Sequence, residues 1–125
     1  MDTIKSSLEI SYLFAQGKRF HTPYLTLIVL KHERDRQEKS GGRVAFIAGK
    51  KYGNAVWRNS AKRRMREVSR EIGAPADYLD IIFLAKPKIC LAQYKDVCNF
   101  AAVAYNRVLE YYFSNVNFST LDQEV

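Results

Sequence analysis

Gly53-Asn54-Ala55-Val56-Trp57-Arg58-Asn59-Ser60-Ala61-Lys62-Arg63-Arg64-Met65-Arg66-Glu67-Val68-Ser69-Arg70-Glu71-Ile72-Gly73 carries both the start and stop signals of one long helix and most of the charge of the chain. Asn54 can cap the orphan N–H groups of a first turn, Gly53 permits a tight turn before it, and Gly73 with Pro75 ends the helix, predicting about Ala55 to Ile72. On a wheel of ~100° per residue, Trp57, Ala61, Met65, Val68 and Ile72 share one apolar stripe. Arg58, Asn59, Lys62, Arg63, Arg66 and Arg70 share another face, with Ser60, Glu67 and Glu71 at its border. One side of the helix is set for a core and another for an anion.

From Lys50 to Arg70 there are eight cations against Glu67 alone, so this segment accounts for the formal +7 of the whole chain. A diffuse excess would speak for solubility, whereas a confined one is the footprint of a polyanion site. A merely solvated helix face interleaves both signs for support between residues four apart. This one gathers five cations with no carboxylate among them, and most are arginine, whose guanidinium forks onto phosphate and stacks on bases. Lys50, Lys51, Arg58, Asn59, Lys62, Arg63, Arg66 and Arg70 are therefore the candidate polyanion-binding residues; among them Asn59 could contact a base edge or sugar, and an ordinary surface hydrogen bond fits it equally well.

Outward from the helix, Ser6 or Ser7 caps a short amphipathic helix bearing Leu8, Ile10, Leu13 and Phe14, with Gly17 as its stop. Phe20 to Leu30 reads as a strand apolar on both faces, with Pro23 confining its start to an edge or turn. Lys31 to Gly42 reads as an exposed loop joining this strand to Arg43–Gly49, most simply as a long hairpin. Tyr78 to Leu84 is another buried strand and Tyr94 to Phe113 a closing helix with Val97, Ala101, Ala104, Val108 and Tyr111 apolar. The polar stretch from about 115 is expected to fray. At 125 residues and 47% apolar content the chain suits one domain, 1–125.

No leader-like or membrane-spanning run is found, which predicts a cytoplasmic protein with no membrane partner. Cys90 and Cys98 lack metal or disulfide-framework spacing and are expected to be reduced core thiols. His21 and His32 are not spaced as metal ligands, and the basic segment holds no acidic cluster for two Mg²⁺ ions. No catalytic residue and no protein metal site is expected. Phe14, Phe20, Tyr24 and Ile28 could line a groove that stacks unpaired bases, but a groove wall and a core wall look alike in sequence.

The run from Gly49 to Glu67 resembles the signature of the bacterial ribonuclease P protein: a Lys-Lys-x-Gly-Asn-Ala loop, an Arg-Asn pair and a Lys-Arg-x-x-Arg-Glu tail. Phe14-Ala15-Gln16-Gly17 is similar to the family's Phe-x-x-Gly at the end of its first helix, and Ala85-Lys86-Pro87 to its turn after the third strand. Ser60 departs from the usual Arg-Asn-Arg, and by the wheel it lies off the main basic face, so weaker backbone contact is expected there. The resemblance implies an α/β sandwich, of α+β two-layer type, with about four strands and three helices and a left-handed crossover around the basic helix, against the general rule for such units. It implies a subunit of an endoribonuclease in which a catalytic RNA performs Mg²⁺-dependent removal of the 5′ leader of precursor tRNA. One copy of the protein in a 1:1 ribonucleoprotein would grip that RNA with the basic helix. A groove with Ile10, Phe14 and Ile28 as apolar wall and Arg58, Asn59, Lys62 and Arg66 as polar edge would hold the leader.

Three other readings compete. A ribosomal-type RNA binder shares the charge but not the signature; a helix-turn-helix DNA binder lacks a partner helix one short turn before the basic one; a self-sufficient nuclease lacks its metal site.

Overall fold

The computed structural model describes residues 2–32 and 41–113. The strands are β1 Asp2–Thr3, β2 Lys18–His21, β3 Leu25–Lys31, β4 Arg43–Ile47 and β5 Leu79–Ala85. The helices are α1 Ser7–Gln16, α2 Ala55–Ile72 and α3 Tyr94–Phe113, with short 3-10 turns at Lys50–Tyr52 and Pro87–Cys90.

One sheet of order β1-β4-β5-β3-β2 organises the molecule. β5 sits at its centre because a strand flanked on both sides and covered on both faces must be apolar on both, and Leu79–Ala85 is buried at every position but Leu84. β4 pairs with β5 in parallel, and α2 is the crossover between them. β3 pairs with β5 antiparallel. The long hairpin expected between the strands now labelled β3 and β4 is therefore corrected: β5 lies between them. Sequence neighbours yield here to the strand that best tolerates burial on both faces.

The strand number is five rather than about four. The Phe20–Leu30 segment is part of two strands, since Thr22 and Pro23 turn the chain between β2 and β3. Thr22 Oγ1 donates to Leu25 O at 2.8 Å and accepts from the backbone N–H of Tyr24 and Leu25 at 3.1 and 3.0 Å. The fifth strand is the two-residue β1, too short to alternate, which lies parallel to β4 with Ile4 N–H donating to Val44 O at 2.8 Å.

Strand alternation divides the core. Leu25, Leu27, Val29, Val44, Leu79, Ile81 and Phe83 face α2 and α3. Ile28, Ala45 and Ile82 face the opposite way and are covered by Ile4 and Leu13. α2 lies over β4 and β5 and α3 over β2 and β3, while α1 packs on the other side of the sheet. Leu8, predicted to be apolar support for α1, instead points to solvent at 82% exposure. Tyr111 likewise lies half outside, while the expected Val97, Ala101, Ala104 and Val108 are buried and Tyr105 joins them.

Both cysteines are free and half-buried, and burial pushes the Cys90 thiol up from its ordinary value. The polar end from about 115 and most of the Lys31–Gly42 loop lie outside the described residues.

Candidate nucleic-acid interface

The bounds of α2 coincide with the expected ones, and its caps are those read from the sequence. Asn54 accepts the N–H of Trp57 at 3.0 Å, and Gly73 closes the helix in the left-handed region, where its N–H reaches Ser69 and Arg70 carbonyls. Gly53 is needed for a different reason than a tight turn. Its backbone is extended, and a Cβ there would stand 2.8 Å from Trp57. Ala61, Met65, Val68 and Ser69 are fully buried, with Trp57 and Ile72 partly so. Ser69 was outside the predicted stripe; its hydroxyl donates to Ala74 O at 2.7 Å and fastens the turn after the helix.

Opposite this buried side, Asn59, Arg63, Arg66 and Arg70 are exposed, and Arg58 and Lys62 are half-exposed. The cations are not equivalent. Arg64 donates to two carbonyls, Ile89 O at 3.2 Å and Ala92 O at 2.6 Å, and so ties α2 to the turn before α3. It is a structural arginine, consistent with its place off the basic face of the wheel. Arg58 bends back to donate to Gly53 O at 3.2 Å, which holds the loop against the first turn. Arg66 lies 5.6 Å from the Phe46 ring centroid. Arg70 pairs with Glu67 at 3.4 Å, so the carboxylate assigned to the border of the basic face reaches into its C-terminal end.

Positive potential is therefore concentrated at the N-terminal half. No acidic residue occupies the first turn, Lys50 and Lys51 sit in the 3-10 turn just before it, and both are exposed. The helix dipole adds to these charges, and a phosphate chain placed there meets cations and orphan N–H groups together. Val56, 73% exposed among them, was not singled out from the sequence.

On the α1 side of the sheet, Ile10 and Phe14 are partly buried, packed against the smaller core. Ile28 has 0% exposure beneath α1, so it supports the wall and cannot touch a base, and its expected place in the wall is corrected. Sequence could not separate these cases, because β3 is apolar on both faces.

The pairing register shows which other residues share this face near the end of the strands. Ile47 lies opposite Leu84, Leu84 opposite Thr26, and Thr26 opposite His21. These form one row across the sheet, and Ile47 and Leu84 are only partly covered. His21 Nδ1 and Thr26 Oγ1 lie 3.0 Å apart within it. Arg19 borders the same side: its guanidinium lies 5.7 Å from the Phe14 ring centroid and donates to Phe14 O at 3.1 Å. Ile47 is three residues before Lys50, so the apolar row runs into the basic loop. Phe20 and Tyr24 belong to the opposite, helix-covered face, where they pack against the larger core.

Among the described residues, no three His, Cys, Asp or Glu side chains come together as a metal-binding group, and no helix is long and apolar enough to cross a membrane.

Known proteins share this sequence pattern and this fold. The chain is 32% identical over 97 residues to the ribonuclease P protein component of a Nitratiruptor species, covering 78% of this chain and 83% of that one. It is 36% identical over 100 residues to the same component of Citrifermentans bemidjiense, covering 79% and 82%. The fold is shared with the Staphylococcus aureus RNase P protein at a TM-score of 0.71 and 20% identity, over 86% of this chain and 95% of that one. The RNase P protein of Thermotoga maritima superposes with a TM-score of 0.66 at 19% identity, over 81% and 92%. A family model described as ribonuclease P matches residues 1–109, and the chain belongs to the ribonuclease P protein component family of tRNA processing.

Proposed function

We propose that the chain binds the catalytic RNA of ribonuclease P through α2 and the loop before it, and holds the 5′ leader of precursor tRNA in the groove between α1 and the sheet. The observation that carries this reading is the continuity of the two surfaces. The half-covered row Ile47–Leu84 passes within three residues of Lys50, where the unopposed cations begin. A single strand can stack on apolar and aromatic walls while its phosphates follow the cations. Phe14, Ile10, Ile47 and Leu84 form the wall, and Arg58, Asn59, Lys62 and Arg66 its polar edge. Lys50, Lys51 and Arg63 extend the phosphate contacts, while Arg70 is held back in part by Glu67.

In this reading Mg²⁺ is held mainly by the RNA, where it supplies the hydrolytic chemistry of leader removal. The protein's part is to screen phosphate repulsion between two RNA chains and to fix the leader's position. One copy of the chain joins one RNA in the cytoplasm.

The test is reconstitution of the full chain with a bacterial ribonuclease P RNA at low Mg²⁺, with cleavage of a precursor tRNA followed against protein-alone and RNA-alone controls. Cleavage at the mature 5′ end that needs both components supports the proposal. RNA binding without stimulated cleavage would instead favour a structural, ribosomal-type role.

A further inference from the structure

A second cation-and-aromatic surface lies away from α2, at the β2 edge of the sheet. Lys18 and Phe20 alternate onto the α3 side of β2, as the packing of Phe20 against the Tyr111 ring at 6.3 Å between centroids shows. Lys18 is opposite Val29, so Lys31, two residues on, is its diagonal neighbour at roughly 7–8 Å between strand positions. Lys18 Nζ lies 4.8 Å from the Tyr111 ring centroid, and Lys31 Nζ 5.1 Å from that of Phe113. Tyr111 is 50% and Phe113 38% exposed. Arg107 stands exposed one turn before Tyr111 on the same side of α3.

Charge and rigidity distinguish this patch from incidental exposure. β2 and β3 contain no carboxylate, and Glu110 is the only one in α3 after Asp96, so among the described residues of these elements three cations stand with a single acid. Tyr112, the neighbour of Tyr111, donates its hydroxyl to Val29 O at 3.2 Å and pins the last turn of α3 to the sheet. The rings are thus held in place while the lysines above them keep flexible stems. An exposed ammonium on a ring is a weak contact compared with a base stacked on it. A strand bearing phosphates can draw the ammonium groups outward and leave the rings to its bases.

We propose that the β2 edge and the C-terminal half of α3 form a second RNA-binding surface, which takes a short single-stranded segment by stacking on Tyr111 and Phe113 with Lys18, Lys31 and Arg107 on its phosphates. The proposal rests on the reading of the chain as an RNA-binding protein but concerns a different site. α2 covers β4 and β5, and β2 is three strand spacings from β4, roughly 14 Å across the sheet. The surface therefore engages RNA beyond the segment held by α2.

The experiment uses the full chain and a fluorescent oligouridylate of about 12 nucleotides, within the usual site size of such surfaces, carrying 5-iodouridine for photocrosslinking. Adducts mapped by mass spectrometry are expected at Tyr111 or Phe113, and they persist in the Arg58→Ala/Arg66→Ala variant. In that background Tyr111→Ala weakens oligonucleotide binding about tenfold, the loss of roughly one stacked base, and Tyr111→Phe does not. Lys18→Ala/Lys31→Ala, both exposed and expected to fold, lowers the salt dependence of the same binding. Adducts confined to α2 and its loop would overturn the proposal while leaving the RNA-binding reading intact, and no binding by the wild type would remove both. Concentration-dependent self-association that protects Tyr111, without RNA, would assign the patch to a protein contact and also overturn it.

Discussion

Arg63 and Arg64 are adjacent, carry the same charge and do different work. Arg63 is exposed with no ion pair among the described residues, whereas Arg64 satisfies the carbonyls of Ile89 and Ala92. Replacing Arg63 by Ala should leave stability within about 0.5 kcal/mol, as for exposed sites generally, and weaken RNA binding. Replacing Arg64 by Ala should destabilise by roughly 1–3 kcal/mol, because two carbonyls lose a charged donor, with a smaller effect on affinity per folded molecule. Urea unfolding and RNA titration of both variants check the pair, and equal losses of stability would contradict the division. The helical wheel leaves Arg64 off the basic face that holds Arg63 and Arg66, but assigns it no role beyond its charge. It could not supply Arg64's partners, which lie on a turn 25 and 28 residues later in the chain. Ile28 was misplaced for a related reason: an isoleucine under α1 and one on an open wall have the same sequence surroundings.

At the scale of elements, α2 and α3 were legible because caps and periodicity are local, and the strand order was not because pairing is nonlocal. β5 separates β3 from β4, and nothing within either strand reports that. The insertion places Asp80 of β5 beside Arg43 of β4, where the carboxylate is buried and accepts from Arg43 Nε and Nη2 at 3.1 and 2.8 Å. Arg43 Nη1 also lies 3.2 Å from Glu9 of α1, so one guanidinium joins α1 to the two parallel strands. These carboxylates hold the guanidinium charged and push its pKa further up. Asp80→Asn should cost about 3 kcal/mol, the lower end for a broken buried pair, since Arg43 keeps some access to water. A fall of that size in the unfolding free energy extrapolated from urea titration, with Glu9→Gln costing well under half as much, is expected. Asn54→Ala should cost about 1 kcal/mol by removing the acceptor for the Trp57 N–H, and should loosen the end of α2 where the cations concentrate.

For the whole molecule, the charge distribution predicts how affinity responds to salt. The formal +7 resides in one segment, and the structure spreads that segment over one exposed helix face and the loop before it, with Arg64 turned inward and Arg70 partly neutralised by Glu67. About six phosphate contacts remain, so the logarithm of the association constant should fall against the logarithm of salt with a slope of roughly −4 to −5. Arg58→Ala/Arg66→Ala removes two of them and should make that slope shallower by about 1.5 to 2, while the urea midpoint changes little. Glu67→Gln should act in the opposite sense, by freeing Arg70 for a further contact and steepening the slope by somewhat less than one. Both slopes come from titrations of the same RNA over a range of monovalent salt at fixed Mg²⁺. A double variant that binds more weakly at every salt concentration with an unchanged slope would mean that Arg58 and Arg66 act by shaping the loop and the Phe46 surface rather than by meeting phosphate.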